Sequence, residues 1–142
     1  MLDRTSCYIL LVEDNDLDAD LIRHALQKAE VIVNLDVARD GEEALLFLKR
    51  WEEGAPIPIV ILLDLKLPKM GGFEVLSALK AHPRYKVLPV VMLTSSSLSN
   101  DIQKAYELGA NSYIVKSIDY DQFASAAILI HRYWCRLNVH PE

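Results

Sequence analysis

Apolar residues gather in short, nearly unbroken runs at 8–12, 59–63, 89–93 and 112–115, and each run is followed by polar residues, among them Glu13, Asp14, Asp64, Thr94 and Lys116. Runs of this length without polar alternation are the pattern of parallel strands buried on both faces. A shorter run at 35–38 makes a fifth strand. Between the runs the apolar positions change to helical spacing: Ala19, Ile22, Leu26 and Ala29, then Ala44, Leu45, Phe47, Leu48 and Trp51, then Phe73, Leu76 and Leu79, then Ile102, Ala105 and Tyr106. Turn chemistry separates the two periods. Asp14-Asn15-Asp16 and Ser99 or Asn100 can cap helices, Asp40-Gly41 and Gly71-Gly72 make turns, Pro83 stops a helix, and Gly109 ends another. A last helix is predicted over 119–136, with a loose tail at 137–142. Five strand–helix alternations imply an α/β fold, a parallel sheet covered by helices on both faces.

The length of 142 residues and the 51% hydrophobic content suit one domain over 1–142 with its core at about 7–136. A net charge of −5 without a Lys/Arg run argues against a nucleic-acid surface, which needs concentrated positive charge. No apolar stretch approaches the roughly 20 residues that cross a bilayer, and the first residues carry no signal-peptide core. Cys7 and Cys135 stand outside any paired motif, so reduced thiols and a cytoplasmic location are expected rather than a disulfide or zinc site. His24, His82, His131 and His140 share no ligand-like spacing and read as surface or packing residues.

The chemistry lies at the strand ends. Open α/β sheets bind ligands at the carboxyl edges of their strands, so Glu13, Asp14, Asp64, Thr94 and Lys116 are expected to converge there. A single carboxylate at such a position is more often a cap, but three carboxylates, a hydroxyl and an ammonium follow separate apolar strands, so the fold would gather them into one small volume. Like charges so close repel, and a bound cation relieves them; oxygen-only donors select a hard metal, magnesium before calcium. The Asp64 carboxylate could then act as a nucleophile toward a phosphoryl group and become an acyl phosphate.

Four motifs, LLVEDN at 10–15, LLDLKLPKMGG at 62–72, PVVMLTS at 89–95 and YIVK at 113–116, resemble the receiver domain of two-component response regulators across nearly the whole chain. The resemblance implies a doubly wound, flavodoxin-like (βα)5 fold with strand order 2-1-3-4-5. It implies Asp64 as phosphoacceptor, and Mg2+ or Mn2+ held by Asp14, Asp64 and the main-chain carbonyl of Lys66, with Glu13 acting through water. It makes Thr94 and Lys116 phosphoryl contacts, Thr94 and Tyr113 the switch pair, Lys66 and Ser96 neighbours that tune acyl-phosphate lifetime, and a sensor histidine kinase the donor. Loop style is similar to single-domain regulators that partner bacterial phytochromes. The chain departs from the family where Ser117 replaces the usual proline after the lysine. A cis bond before a non-proline residue costs about 2.5–4 kcal/mol, so a trans or strained loop is expected and the reach of Lys116 is in question. Gly71-Gly72 replaces Asp-Gly and is expected to loosen that turn.

With no effector domain attached, the signal is expected to leave through the receiver's own surface. The last helix carries Phe123, Ala124, Ala126, Ala127, Ile128, Leu129, Ile130, Tyr133 and Trp134 on more than one face, which suggests a homodimer through it and the neighbouring strand. Two other readings compete: a degenerate receiver that only binds protein, and an aspartyl-phosphate phosphatase of the haloacid dehalogenase type, which resembles a D-x-D pattern where this chain has Lys66 in second place. A nucleotide-binding domain is excluded, because neither glycine-rich phosphate loop occurs.

Overall fold

The computed structural model describes residues 7–141. Five strands, β1 (Cys7–Val12), β2 (Val33–Ala38), β3 (Val60–Leu63), β4 (Val90–Thr94) and β5 (Ser112–Val115), alternate with α1 (Asp16–Lys28), α2 (Gly41–Glu52), α3 (Gly72–Ala81), α4 (Ser99–Glu107) and α5 (Tyr120–His131). The strands form one parallel sheet in the expected order β2-β1-β3-β4-β5.

Alternate strand residues point to opposite faces, and both faces are covered, which is why the central strands read as continuous apolar runs. Leu10, Val12, Ile61, Leu63, Val90 and Met92 pack with Trp51, Leu76, Tyr85 and Ala105 on the side of α2, α3 and α4. Ile9, Leu11, Val60, Leu62, Val91 and Leu93 pack with Ile22, Leu26, Phe123, Ala127 and Ile130 on the side of α1 and α5. Strand β2 begins at Val33, two residues before the predicted start, because exposed Asn34 and Asp36 alternate with half-buried neighbours along this edge strand and interrupt the apolar run.

Local chemistry explains most boundaries. The Asn15 side chain accepts the Asp18 N–H at 3.0 Å and caps α1, and Asp40 caps α2 by accepting the Glu43 N–H at 2.8 Å. Gly109, at φ 105°, follows the end of α4. One expectation about a cap is corrected. Neither Ser99 nor Asn100 caps α4: the helix begins at Ser99, and Ser96 supplies the local polar contacts, with its hydroxyl accepting from the Leu98 N–H and donating to Asp101. At Gly71-Gly72 the Gly72 N–H donates to the Leu65 carbonyl at 2.9 Å and a Cβ on Gly72 would meet the Asp64 carbonyl oxygen at 2.2 Å, while Gly71 stands at the N-cap of α3 with no side-chain cap.

The chain ends differently from its predicted helix over 119–136. Regular α-helix stops at His131, and Arg132–Leu137 continues as a wider π-type turn. Cys135 on this turn is joined to Cys7 by a disulfide, with Cα atoms 5.7 Å apart, which overturns the expectation of free thiols. The cause is topological. Cys7 faces the α1–α5 side of β1, where Trp134 and Cys135 also pack, and 128 residues of separation leave no local motif to reveal the meeting. The histidines behave as expected: His82 stacks on Tyr85 and bonds Glu52, His131 is buried, and His24 and His140 are exposed.

Candidate functional site

Register brings the acidic residues together. Val12 pairs with Leu63 across β1 and β3, so the next residues, Glu13 and Asp64, leave the sheet side by side, and the Asp64 N–H donates to the Val12 carbonyl at 3.1 Å. At the other side of the sheet Thr94 pairs with Val115, and the Lys116 N–H donates to the Thr94 carbonyl at 2.7 Å. The predicted residues therefore share one carboxyl edge.

Lys116 is the hub. Its ammonium donates to Asp64 Oδ2 and Asp18 Oδ2, both at 2.9 Å, and to Glu13 Oε1 in a shorter contact. Burial pulls this lysine's pKa down, but the bonds from Glu13, Asp18 and Asp64 outweigh it and hold the ammonium above the ordinary lysine range. Burial pushes Glu13 up to about 7 against the opposing bond from Lys116, and the Asp64 charge adds to the rise. The doubt over the reach of Lys116 is thus answered. No cis peptide occurs among the described residues, and the loop after Lys116 is braced by Ser117, whose hydroxyl accepts the Asp119 N–H at 3.1 Å and donates to Gln122 at 2.9 Å.

Glu13, exposed Asp14 and Asp64 each place a carboxylate oxygen within 4.8 Å of the others. A hard divalent cation fits this donor set: all ligands are anionic oxygens, Asp14 opens to solvent for bound water, and the buried Glu13 and Asp64 carry charge that one ammonium offsets only in part. Exposed Lys66 donates its main-chain N–H to Asp64 Oδ1 at 3.3 Å.

Fully buried Thr94 accepts the Ser96 N–H through its hydroxyl at 3.4 Å. Half-buried Tyr113 donates its hydroxyl to the Ser96 carbonyl at 2.9 Å. Ser96 itself is buried, with its hydroxyl donating to Asp101 Oδ2 at 2.6 Å. Two residues of this arrangement, Asp18 and Asp101, escape sequence reasoning. Asp18 reads locally as an acidic residue in the first turn of α1, and nothing near it in sequence points to Lys116, 98 residues away. Asp101 is hidden for a similar reason, because its partner is set by the path of the loop between β4 and α4.

A doubly wound sheet carrying an acidic triad of Glu13, Asp14 and Asp64, a threonine and a lysine at its carboxyl edge defines a phosphoryl-receiving module, and residues 9–128 match the family described as the response regulator receiver domain. The chain belongs to that family, and its function is that of a two-component response regulator, which accepts a phosphoryl group from a histidine kinase. It is 39% identical to the response regulator Rcp1 of Synechocystis sp., covering 94% of this chain and 92% of that protein. It is also 39% identical to the probable methanogenesis regulatory protein FilR2 of Methanothrix harundinacea, covering 94% and 86%. Among solved structures it resembles the phosphorylated cyanobacterial phytochrome response regulator RcpA (TM-score 0.90, 38% identity, 96% of this chain and 99% of that one) and the Mn2+-bound form of Rcp1 (TM-score 0.88, 37% identity, 96% and 99%). Receivers of this kind are signalling modules, and among the described residues no helix is long and apolar enough to cross a membrane.

Proposed function

We propose that Asp64 is the phosphoacceptor of this receiver. A carboxylate oxygen of Asp64 attacks phosphorus, the bond from phosphorus to the donor histidine nitrogen breaks, and an acyl phosphate forms on Asp64. Asp14, Asp64 and the Lys66 carbonyl would hold the cation, with Glu13 joining through water; Mg2+, or Mn2+ in its place, would offset charge on the phosphoryl oxygens when bound. Lys116, already 2.9 Å from Asp64, is placed to neutralise a phosphoryl oxygen, and Thr94 on the neighbouring strand can donate its hydroxyl to another. Exposed Lys66 flanks the acceptor and can tune how readily water reaches the acyl phosphate. Ser96 exerts its influence on that lifetime through its backbone, since its hydroxyl is engaged with Asp101. Loss of the phosphoryl group by hydrolysis resets the signal and is not turnover of an external substrate.

The observation that carries this reading is the Lys116–Asp64 contact within the acidic cluster. Magnesium and acetyl phosphate should add one phosphoryl group to the wild-type protein, read by intact mass, and none to Asp64→Asn. Equal uptake by both would end the assignment. The intact acidic set speaks against a degenerate protein-binding module, and Lys66 in place of a second catalytic aspartate speaks against a phosphatase.

Output follows from the same edge. A phosphoryl group drawing Thr94 toward it would free space for Tyr113 to turn inward, changing the loop and helix over 95–108. The cytoplasmic partner that supplies phosphate is a sensor histidine kinase of the phytochrome type, a reading supported by the likeness to Rcp1 and RcpA. Leu129 near the end of α5 and Tyr133 and Leu137 on the π-type turn after it are exposed, which supports a homodimer of the single receiver domain through this last helical segment and the neighbouring edge strand β5.

A further inference from the structure

We propose that Asp18 is a positioning residue for phosphoryl transfer, holding the Lys116 ammonium beside Asp64 from the first turn of α1. The inference rests on the reading of Asp64 as acceptor. Lys116 follows the edge strand β5, whereas Asp64 and Glu13 follow β3 and β1, so the side chain crosses the end of β4 to reach them. A lysine side chain has about 2 kcal/mol of rotamer entropy to lose when fixed in that reach, and only strong partners hold it.

Three carboxylates do so, but they are not equivalent. Glu13 and Asp64 also belong to the set of oxygens that converge on the cation site, and their charge is shared once that site is used. Asp18 is outside that set. It faces Lys116 at 2.9 Å, and its backbone is fixed by the hydrogen bond from its N–H to Asn15 Oδ1 at 3.0 Å. Its helix is anchored to the sheet by Ala19 and Ile22. Asp18 is therefore the one anionic partner that keeps its full charge for Lys116 when cation and phosphoryl group arrive. With Ser117 where the family has proline, this contact supplies from α1 a restraint on Lys116 that the loop backbone would otherwise have to provide.

The test is a double-mutant cycle on the full chain, reading the rate of phosphoryl uptake from acetyl phosphate in saturating magnesium. Asp18→Ala should slow uptake about tenfold, the worth of one charge-assisted hydrogen bond, and Asp18→Asn should slow it less. In a Lys116→Ala background, Asp18→Ala should change the rate by less than about twofold, because residues in one network do not add. A second readout needs no reaction: in metal-free protein the Lys116 ammonium nitrogen, assigned by its loss in Lys116→Ala, should change chemical shift in Asp18→Ala. If Asp18→Ala lowers the yield of folded protein, Asp18→Asn carries both measurements. Equal losses with and without Lys116, a wild-type rate in the single variant, or an unmoved Lys116 signal each overturn the proposal. Absence of uptake by the wild-type protein would instead overturn the Asp64 reading and this inference with it.

Discussion

A single ammonium faces three carboxylates in this receiver, and the resting site is defined by that imbalance. A second small network lies behind it. Asp101 accepts from Ser96, whose carbonyl accepts from Tyr113, so Tyr113, the proposed switch aromatic, is tied to a loop that is itself tied to α4. Inward rotation of Tyr113 must break its bond to Ser96, and movement of the loop must break the bond to Asp101. Removing the second restraint lowers the cost of the rearranged state. Asp101→Ala is therefore expected to bind beryllofluoride, a phosphoryl mimic, about fivefold more tightly, corresponding to about 1 kcal/mol for the lost hydrogen bond. Titration calorimetry reads this directly, and unchanged or weaker binding would show that the latch is not part of the switch.

At the scale of elements, the start of α3 is built against the end of β3. Gly72 lies so close that a Cβ would stand 2.2 Å from the Asp64 carbonyl oxygen and 2.7 Å from Leu65 Cα, whereas Gly71 has only the Leu65 carbonyl at 3.9 Å. Gly72→Ala should thus push α3 away from β3, destabilise the fold by about 1–3 kcal/mol, and slow phosphoryl uptake. Gly71 occupies the N-cap position of α3 without a side-chain cap. Gly71→Asp should accordingly raise stability by about 0.5 kcal/mol. Urea denaturation of the two variants separates the effects, and equal stabilities would contradict the close approach.

At the scale of the molecule, the disulfide from Cys7 to Cys135 ties the first described strand to the last helical turn. Closing a loop this long restricts the unfolded chain, and reduction or Cys135→Ser should cost about 2–4 kcal/mol. The comparison is denaturation with and without dithiothreitol; identical midpoints would mean the bridge adds nothing in solution. The exposed apolar stripe on the last helix makes a different prediction. Light scattering should give the mass of a dimer for the wild-type protein and of a monomer for Tyr133→Arg combined with Leu129→Glu. A wild-type monomer at high concentration, with and without phosphoryl mimic, would remove the dimer.

The alternation of apolar runs with helical stripes determined the five-element order, the two-sided burial of β1, β3 and β4, and the placing of Glu13, Asp14, Asp64, Thr94 and Lys116 at strand ends, because strand period and buried faces are local properties of composition. Edge strand β2 was legible only in part, since half of its side chains face solvent and carry no apolar signal. What tertiary structure alone decided were the contacts between distant segments: Asp18 with Lys116, Asp101 with Ser96, and Cys7 with Cys135. Each pair depends on where a loop or helix end lands after the sheet is assembled. That landing is set by packing across the whole core, which no window of neighbouring residues contains.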